Sequence, residues 1–260
     1  MGDLRTYEPG TPSWVDLGCP DPAGAAEFYA ALFGWEAVSQ GPVEETGGYA
    51  MFRLGGRDIA GLGPGEHAAW TTYVAVADVD ATASMVEADG GAVIVAPMTV
   101  TTAGRMAVFA DPEGAPFAAW QPQDHQGAQA IHEHGTFTWA ELACRGVDTA
   151  KAFYGAVFGW EGDTHPFGPD DSSSYTELQL PGGAGPFAGI VQMNDMWPAE
   201  VPAHWMVYFA VDDTDACAAQ VATLGGTVSV EPFDLDHVGR IAVLNDPQGA
   251  VFSVLARVER

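Results

Sequence analysis

Apolar residues alternate with polar residues in some parts of the chain and recur at helical spacing in others. In Ser13–Gly18, Trp14 and Asp16 share one face of a predicted strand, and Val15 and Leu17 share the other. Asp21-Pro22 then predicts the start of a helix and Gly34 its end. The apolar stripe of this helix comprises Ala25, Phe28, Tyr29, Leu32 and Phe33. This stripe requires an apolar partner, so we expect Val15 and Leu17 to face the helix and Trp14 and Asp16 to face away from it.

The same pattern of elements occurs twice along the chain. Phe28–Glu36 recurs as Phe153–Glu161, 125 residues later, whereas Asp111–Ala115 recurs as Asp246–Ala250, 135 residues later. The second copy has therefore gained ten residues between these motifs. Similarity over this length indicates two copies of one domain. We predict a first domain over 8–122, a linker over 123–134 and a second domain over 135–258.

Each copy contains two modules, and in each module one strand and one helix precede three further strands. In the first copy, the second module begins at Trp70–Val76, and Gly90-Gly91 ends its helix. The predicted fold class is α+β, with four βαβββ modules. The additional residues of the second copy fall in His165–Ser174 and Asn194–Pro202, which we expect to flank the mouth of a pocket.

The linker is polar and has no periodicity, so we expect it to be mobile. It contains His132-Glu133-His134, a spacing compatible with a metal site. A mobile segment holds a metal poorly without further fixed ligands, and we therefore expect no metal there.

The charge balance excludes two classes of partner. The 260 residues include 35 acidic and nine basic side chains, giving a net charge of −26. This charge repels nucleic acid and anionic membrane surfaces. Two interpretations stay open: a solubilising surface, or an acidic cleft that favours cationic ligands.

Two further observations concern location. The first eight residues lack a basic start followed by an apolar run, so we expect no signal peptide. The three cysteines show neither metal-type spacing nor a disulfide framework, which is typical of a cytoplasmic protein with buried thiols.

Together, the Phe-Tyr and Phe-Gly-Trp motifs of the first helices and the Asp-Pro-x-Gly-Ala motifs before the last strands resemble the vicinal oxygen chelate superfamily. This superfamily includes glyoxalase I, extradiol dioxygenases and the bleomycin- and fosfomycin-resistance proteins. The resemblance implies two cup-shaped, curved mixed β-sheets with helices outside and a ligand inside. More closely, the chain resembles tandem two-domain actinobacterial proteins, some of which accompany aromatic polyketide pathways.

The resemblance also implies positions for metal ligands, but this sequence departs from them. Those positions hold Trp14, Thr72 and Ala118 in the first copy and Trp139, Val207 and Ser253 in the second. These side chains do not form the usual ligand sets of divalent ions. Gln192 remains as a plausible ligand on the fourth strand. Glu177 is the best remaining single-ligand candidate, but its counterpart in the first copy is Met51, and one carboxylate without a second ligand makes no metal site. We therefore expect neither a metal nor another cofactor.

The inward faces are expected to combine aromatic and charged side chains, which suit a planar, partly polar ligand. Alternatively, the tryptophans simply fill the cups. The residues assigned to these faces are Trp14, Asp16, Tyr49, Met51, Arg53, Trp70, Thr72, Arg105 and Trp120 in the first copy, and Trp139, Glu141, Tyr175, Glu177, Gln179, Trp205, Val207, Arg240 and Ser253 in the second.

Asp16 and Glu141 place a carboxylate at equivalent positions beside an inward tryptophan. A buried carboxylate requires a partner. Arg105 and Arg240 are candidate partners; otherwise the carboxylates are available to bind a cationic amine or to act as a general base.

These features favour a metal-free protein that binds a small aromatic or antibiotic-like molecule, including cationic polyketides. Its role would be self-resistance, sequestration or support of a natural-product tailoring pathway. The alternative is an enzyme on the same pocket. That enzyme would be a cofactor-free isomerase, cyclase or oxygenase using Asp16 or Glu141, or a metal-dependent glyoxalase or dioxygenase. Both a monomer and a homodimer are compatible with the sequence.

Overall fold

The structure is a computed structural model that describes residues 5–168, 173–195 and 197–258. Residues 1–4, on which part of the signal-peptide expectation rests, lie outside this description. The same holds for residues 169–172 and Met196, which belong to the two loops expected to flank a pocket.

The described chain contains sixteen strands and five helices. In the first copy these are β1 (Pro12–Cys19), α1 (Pro22–Phe33), β2 (Glu36–Ser39), α2 (Val43–Thr46), β3 (Ala50–Leu54), β4 (Arg57–Pro64), β5 (Ala69–Ala75), α3 (Val79–Ala88), β6 (Ala92–Val100), β7 (Gly104–Ala110) and β8 (Pro116–Pro122). In the second copy they are β9 (Phe137–Cys144), α4 (Val147–Phe158), β10 (Glu161–Phe167), β11 (Ser173–Gln179), β12 (Ala188–Gln192), β13 (His204–Ala210), α5 (Thr214–Thr223), β14 (Thr227–Leu235), β15 (Gly239–Asn245) and β16 (Val251–Arg257).

The strands form two eight-stranded mixed sheets with the same topology. Their orders are β2-β3-β4-β1-β5-β8-β7-β6 and β10-β11-β12-β9-β13-β16-β15-β14. Pairs such as β1–β4 and β13–β16 are parallel, whereas the hairpins are antiparallel. Each sheet therefore comprises two βαβββ modules, and the predicted α+β fold class is confirmed.

Local sequence explains where the helices begin and end. The Asp21 side chain accepts a hydrogen bond from the Gly24 N–H, and Pro22 occupies the first turn of α1. Gly34 ends α1 with φ of 73°, which glycine adopts without steric cost. Asp78 and Asp213 cap α3 and α5 in the same way as Asp21.

The chain forms two compact units, and these do not coincide with the two copies of the sequence repeat. Unit 1 comprises the described residues of Met1–Ser13, Thr72–Gly127 and Trp139–Trp205. Unit 2 comprises those of Trp14–Thr71, Ala128–Thr138 and Met206–Arg260. Unit 1 thus contains most of modules two and three, and unit 2 contains most of modules one and four. The predicted ranges 8–122, 123–134 and 135–258 follow the repeats instead.

The core of unit 2 is organised around the buried hydroxyl of Tyr29 in α1. This hydroxyl accepts a hydrogen bond from Trp70 Nε1 at 3.0 Å and donates one to Asp246 Oδ2 at 3.4 Å. The other carboxylate oxygen of Asp246 accepts the N–H groups of Gln248 and Ala250. The Asp-Pro-x-Gly-Ala turn of module four is therefore bonded to the first helix of module one.

Unit 1 repeats this arrangement around Tyr154 in α4. Its hydroxyl accepts a hydrogen bond from Trp205 Nε1 at 2.8 Å and donates one to Asp111 Oδ2 at 3.1 Å. Burial raises the pKa of both tyrosine hydroxyls well above the usual value and also raises the pKa of the Asp111 carboxyl. The phenols are therefore protonated donors at neutral pH.

The segment predicted to be a mobile linker is instead held by specific contacts. Within unit 2, Glu133 forms a bidentate ion pair with Arg57, and His132 Nδ1 lies 3.0 Å from Thr138 Oγ1. His134 contacts the Asp212 carboxylate at 3.2 Å. The expectation of mobility is therefore wrong for these three residues. The argument against a metal at His132-Glu133-His134 rests on their contacts instead. All three side chains have other partners.

The described helices and cysteines bear on membrane insertion and on disulfide formation. None of its helices is long and apolar enough to cross a membrane. Cys19, Cys144 and Cys217 are free and buried, as the sequence predicted.

We predict that Tyr29→Phe and Tyr154→Phe each lower the free energy of unfolding by about 1–3 kcal/mol, because each change removes the partner of a buried indole N–H and one of the donors to a buried carboxylate. Urea titration measures this loss. Ser84→Ala removes an exposed helix hydroxyl and serves as the control, with an expected change within about 0.5 kcal/mol. Tyrosine variants as stable as this control would contradict the prediction.

Candidate functional site

The candidate site in unit 2 is built by Trp14 and Asp16 of β1 and by Tyr49, which lies directly before β3. Trp14 Nε1 donates a hydrogen bond to the Tyr49 hydroxyl at 3.1 Å, and this hydroxyl donates to Asp16 Oδ2 at 3.4 Å. Trp14 is buried, whereas Asp16 and Tyr49 are half-buried. The two polar groups are thus fixed in orientation while remaining near solvent. We call these three residues the Tyr49 cluster.

A glycine on β4 makes room for the Tyr49 cluster. Gly61 lies opposite Asp16 in the parallel register and opposite Met51 in the antiparallel one. A Cβ atom at Gly61 would lie 1.8 Å from the Tyr49 hydroxyl oxygen. The backbone at this position is ordinary, so the glycine is required by close approach and not by a left-handed conformation.

Tyr49 is held in its protonated form. Burial, followed by the negative charge of Asp16, raises the pKa of the phenol well above its usual value. At neutral pH the hydroxyl therefore donates to Asp16 and fixes the direction of the carboxylate.

The Tyr49 cluster borders a pocket of about 450 Å³. The pocket lies at the carboxyl ends of the parallel strands β1 and β4, where ligands commonly bind in sheets with parallel strands. Its volume falls within the range of small-molecule sites, about 300–1,000 Å³. Its lining residues are Asp16, Leu17, Gly18, Thr46, Gly47, Tyr49, Gly63, Pro64, His67, Ala69 and Thr71.

Unit 1 contains a counterpart of this cluster. Trp139 Nε1 donates a hydrogen bond to the Tyr175 hydroxyl at 2.9 Å. Gly189 on β12 lies opposite Glu141 in register, and a Cβ atom there would lie 2.1 Å from the Tyr175 hydroxyl oxygen. The sequence repeat therefore preserves the aromatic pair, the carboxylate position and the glycine.

The predicted inward face is wrong for β5 and β13. Trp70 and Trp205 lie in the cores of their units, bonded to Tyr29 and Tyr154. Thr72 and Val207, two residues further along each strand, are buried on the same side. Thr71, which has the opposite orientation to Trp70, lines the pocket in unit 2. Both faces of β5 carry bulky and polar residues, so the sequence pattern alone did not define its orientation.

The arginine partners proposed for Asp16 and Glu141 are also wrong. Arg105 pairs with Asp80 of α3 in unit 1. Arg240 pairs in unit 2 with Asp215 of α5 at 2.5 Å and with Asp234 at 3.1 Å. Hydrogen bonds from these arginines lower the pKa of the Asp80 and Asp215 carboxyls. Both arginines therefore lie on the helix side of their strands.

The remaining predicted site residues have separate surroundings. Arg53 forms an ion pair with Asp58 at 2.5 Å across the β3–β4 hairpin, and Glu177 lies 3.8 Å from His165. Trp120 donates a hydrogen bond to the His125 carbonyl at 2.8 Å. Ser253 is fully buried, with no hydrogen-bond partner for its hydroxyl among the described residues. Met51 and Gln179 are half-buried, and their role in a site stays a prediction.

The donor set does not fit a divalent metal at the positions that the family uses. The Trp14 and Trp139 indoles are donors only, and both are bonded to tyrosines. Gln192, one of the two candidate ligands left by the sequence, accepts a hydrogen bond from Ser174 at 3.1 Å. Among the described residues, no three His, Cys, Asp or Glu side chains converge as a metal-binding group.

Sequence reasoning missed Gly61, Gly189, Thr46 and His67. The two glycines carried a usable signal, because glycine within a strand pattern often marks a close approach to the backbone. Thr46, the last residue of the short helix α2, and His67, in the loop before β5, carried none, because only the fold brings them beside Asp16.

Comparison with known proteins agrees with this architecture. Residues 11–118 match the Glyoxalase/Bleomycin resistance protein/Dioxygenase superfamily, and residues 139–255 match the Glyoxalase-like domain. The chain belongs to this superfamily, the vicinal oxygen chelate superfamily, in a tandem two-domain form.

Two similar relatives cover nearly the whole chain. The putative glyoxylase CFP32 of Mycobacterium tuberculosis is 43% identical over 98% of both chains. The anthracycline biosynthesis protein DnrV of Streptomyces peucetius is 40% identical over 97% of this chain and 95% of that protein.

Solved structures show the same fold at low sequence identity. The Mn(II)-bound glyoxalase from Novosphingobium aromaticivorans has a TM-score of 0.66 and 20% identity, covering 96% of this chain and 83% of that one. The 2,3-dioxygenase LapB from a Pseudomonas species has a TM-score of 0.65 and 12% identity, covering 98% and 94%.

We predict that Gly61→Ala displaces Tyr49 and breaks its bond to Trp14, because the new methyl group would occupy the position of the hydroxyl. The indole N–H resonance of Trp14 should shift and exchange faster in NMR spectra of the variant. Gly18→Ala is the matched control, since a Cβ atom there meets only Gly65 Cα, at 3.9 Å. An unchanged Trp14 resonance in Gly61→Ala would contradict the geometry of the cluster.

We also predict a contribution of Tyr49 to alkaline unfolding. Above the usual tyrosine pKa of 10.0, the phenol ionises in the unfolded chain before it ionises in the folded one, so the contribution of Tyr49 to stability is lost as pH rises. Between the pKa of Tyr49 in the unfolded chain and its pKa in the folded chain, the free energy of unfolding should fall less steeply with pH in Tyr49→Phe than in wild type, by about 1.4 kcal/mol per pH unit. Urea titrations at several pH values measure the slope. Asp16→Asn should retain most of it, because burial is the main cause, and equal slopes for wild type and Tyr49→Phe would contradict the prediction.

Proposed function

We propose that unit 2 binds a small planar aromatic molecule of the antibiotic type in the pocket beside the Tyr49 cluster, without a metal. The observation that carries this proposal is the fixed Asp16 carboxylate, held by Tyr49 at the wall of a pocket of small-molecule size. An oriented carboxylate beside the ring of Tyr49 suits a ligand with a flat ring system and a polar donor.

The pocket chemistry favours a ligand that donates hydrogen bonds or carries positive charge. Asp16 supplies an acceptor, Thr71 supplies a hydroxyl, and His67 supplies an imidazole. The net charge of −26 adds a long-range attraction for cations. The relatives named as anthracycline biosynthesis proteins support an aromatic polyketide as the ligand class.

The role that follows is self-resistance, sequestration or support of a tailoring pathway, carried out in the cytoplasm by a monomer or a homodimer. The tryptophans at two of the family's metal positions support metal-free binding, because their indole N–H groups cannot ligate an ion. In unit 1, Glu141 and Tyr175 are candidates for the corresponding contacts.

A second candidate is an enzyme that uses the same pocket. The hydrogen bond from Tyr49 orients Asp16 at the pocket wall, which is the placement that a general base requires. Chemical conversion of the bound molecule separates this candidate from binding alone.

We predict that Asp16→Asn weakens binding of an anthracycline carrying a protonated amino sugar by about 1.5–3 kcal/mol, the range for hydrogen bonds to charged groups. Fluorescence titration measures the affinity, and the neutral aglycone should lose less. Asp89→Asn removes the same charge from an exposed position in unit 1 and should leave both affinities unchanged. Equal affinities in wild type and Asp16→Asn, with unchanged melting temperature, would contradict the proposal.

Two further measurements complete this experiment. Dialysis against EDTA should leave the affinity unchanged, whereas loss on chelation and recovery with Mn²⁺ would favour a metal enzyme. Mass spectrometry of the recovered anthracycline should show an unchanged molecule, and a product that forms with wild type but not with Asp16→Asn would favour catalysis.

A further inference from the structure

Unit 1 contains an arginine whose environment differs from that of the paired arginines. Arg145, directly after β9, donates from Nη1 to the Val201 carbonyl at 2.9 Å and from Nη2 to the Pro198 carbonyl at 3.0 Å. Nη1 also lies 3.7 Å from Met193 Sδ. Within the described part of the chain, Arg145 forms no ion pair with a carboxylate.

Part of the guanidinium is available for a ligand. An arginine carries five N–H donors, and these contacts use three of them. The Nε–H and one Nη2–H have no acceptor among the described residues. Both groups can donate charge-assisted hydrogen bonds to a carboxylate.

The nearest carboxylate at the backbone of Arg145 is already engaged. Glu113 accepts the backbone N–H of Arg145 at 2.9 Å and the backbone N–H of Gly146, at the start of α4. Its charge is therefore held by the helix terminus and does not neutralise the guanidinium as an ion pair.

Arg145 lines a pocket of about 590 Å³ within unit 1. The half-buried Trp197 and the buried Met193 provide an apolar and aromatic wall, and Asp195 contributes an exposed carboxylate. Trp197, Asp195 and the carbonyls that hold Arg145 belong to the longer loop of the second copy. The position equivalent to Arg145 in the first copy is Pro20, so unit 2 has no counterpart of this site.

We infer that this pocket of unit 1 binds a planar aromatic carboxylate, with the carboxylate on the open edge of Arg145 and the ring against Trp197. The inference is independent of the function proposed for the Asp16 pocket in unit 2, and it concerns a ligand of opposite charge. The Asp195 carboxylate repels the carboxylate of the ligand and thereby lowers its affinity for the pocket.

The test compares 2-naphthoate with its neutral analogue 2-naphthamide by isothermal titration calorimetry on the full chain. Wild type should bind the naphthoate at least about tenfold more tightly, because only the carboxylate forms charge-assisted hydrogen bonds with Arg145. Arg145→Met should abolish this preference. Arg57→Met, which removes an arginine paired with Glu133 in unit 2, should retain it.

Two variants leave the contacts of Arg145 intact and protect the test against misfolding. Asp195→Asn should tighten naphthoate binding severalfold by removing the repulsion, and Ala199→Glu should weaken it by placing a carboxylate in the lining. Asp16→Asn should have no effect on naphthoate, so a failure here is distinguishable from a failure of the unit 2 proposal. Equal affinities for the two probes in wild type, or unchanged naphthoate affinity in both Asp195→Asn and Ala199→Glu, would overturn the inference.

Discussion

The buried tyrosine hydroxyl of each first helix is the interaction on which the rest of each unit depends. It lies between an indole N–H and the carboxylate of an Asp-Pro-x-Gly-Ala turn, as Tyr29 with Trp70 and Asp246, and as Tyr154 with Trp205 and Asp111. The tyrosine and the aspartate come from different copies of the repeat. A buried polar group without its partner is costly, so this bond specifies which module packs with which within a unit.

A tryptophan, a tyrosine and a carboxylate also come together beside the pocket of unit 2, where they have a different role. In the core clusters, burial makes the contact structural. In the Tyr49 cluster the carboxylate is only half-buried, so the tyrosine that fixes its direction leaves it at a pocket wall. Gly61 and Gly189 allow this arrangement, because a side chain there would overlap the phenol. Trp14 and Trp139, which the family resemblance places at the metal-ligand positions, donate hydrogen bonds to these tyrosines.

The two units differ in their loops and therefore in the ligands that we propose for them. Unit 2 presents Asp16 at its pocket, and unit 1 presents Arg145, held by the longer loop of the second copy. Arg53, Arg57, Arg105 and Arg240 are paired with carboxylates, whereas Arg145 donates to backbone carbonyls at the wall of a pocket. The repeat thus conserves the scaffold, whereas the loops after the strands carry the chemical differences.

The sequence by itself determined the tandem repeat, the four βαβββ modules, the caps of α1, α3 and α5, and the shared face of Trp14 and Asp16 on β1. These features depend on local periodicity and on motifs that repeat at a fixed distance. Only the tertiary structure decided that Trp70 and Trp205 belong to the cores, that Arg105 and Arg240 pair with helix aspartates, and that the linker is held in place. It also brought Thr46 and His67 beside Asp16. These features depend on contacts between residues far apart in the chain, and a period-two pattern with bulky residues on both faces does not identify the buried face.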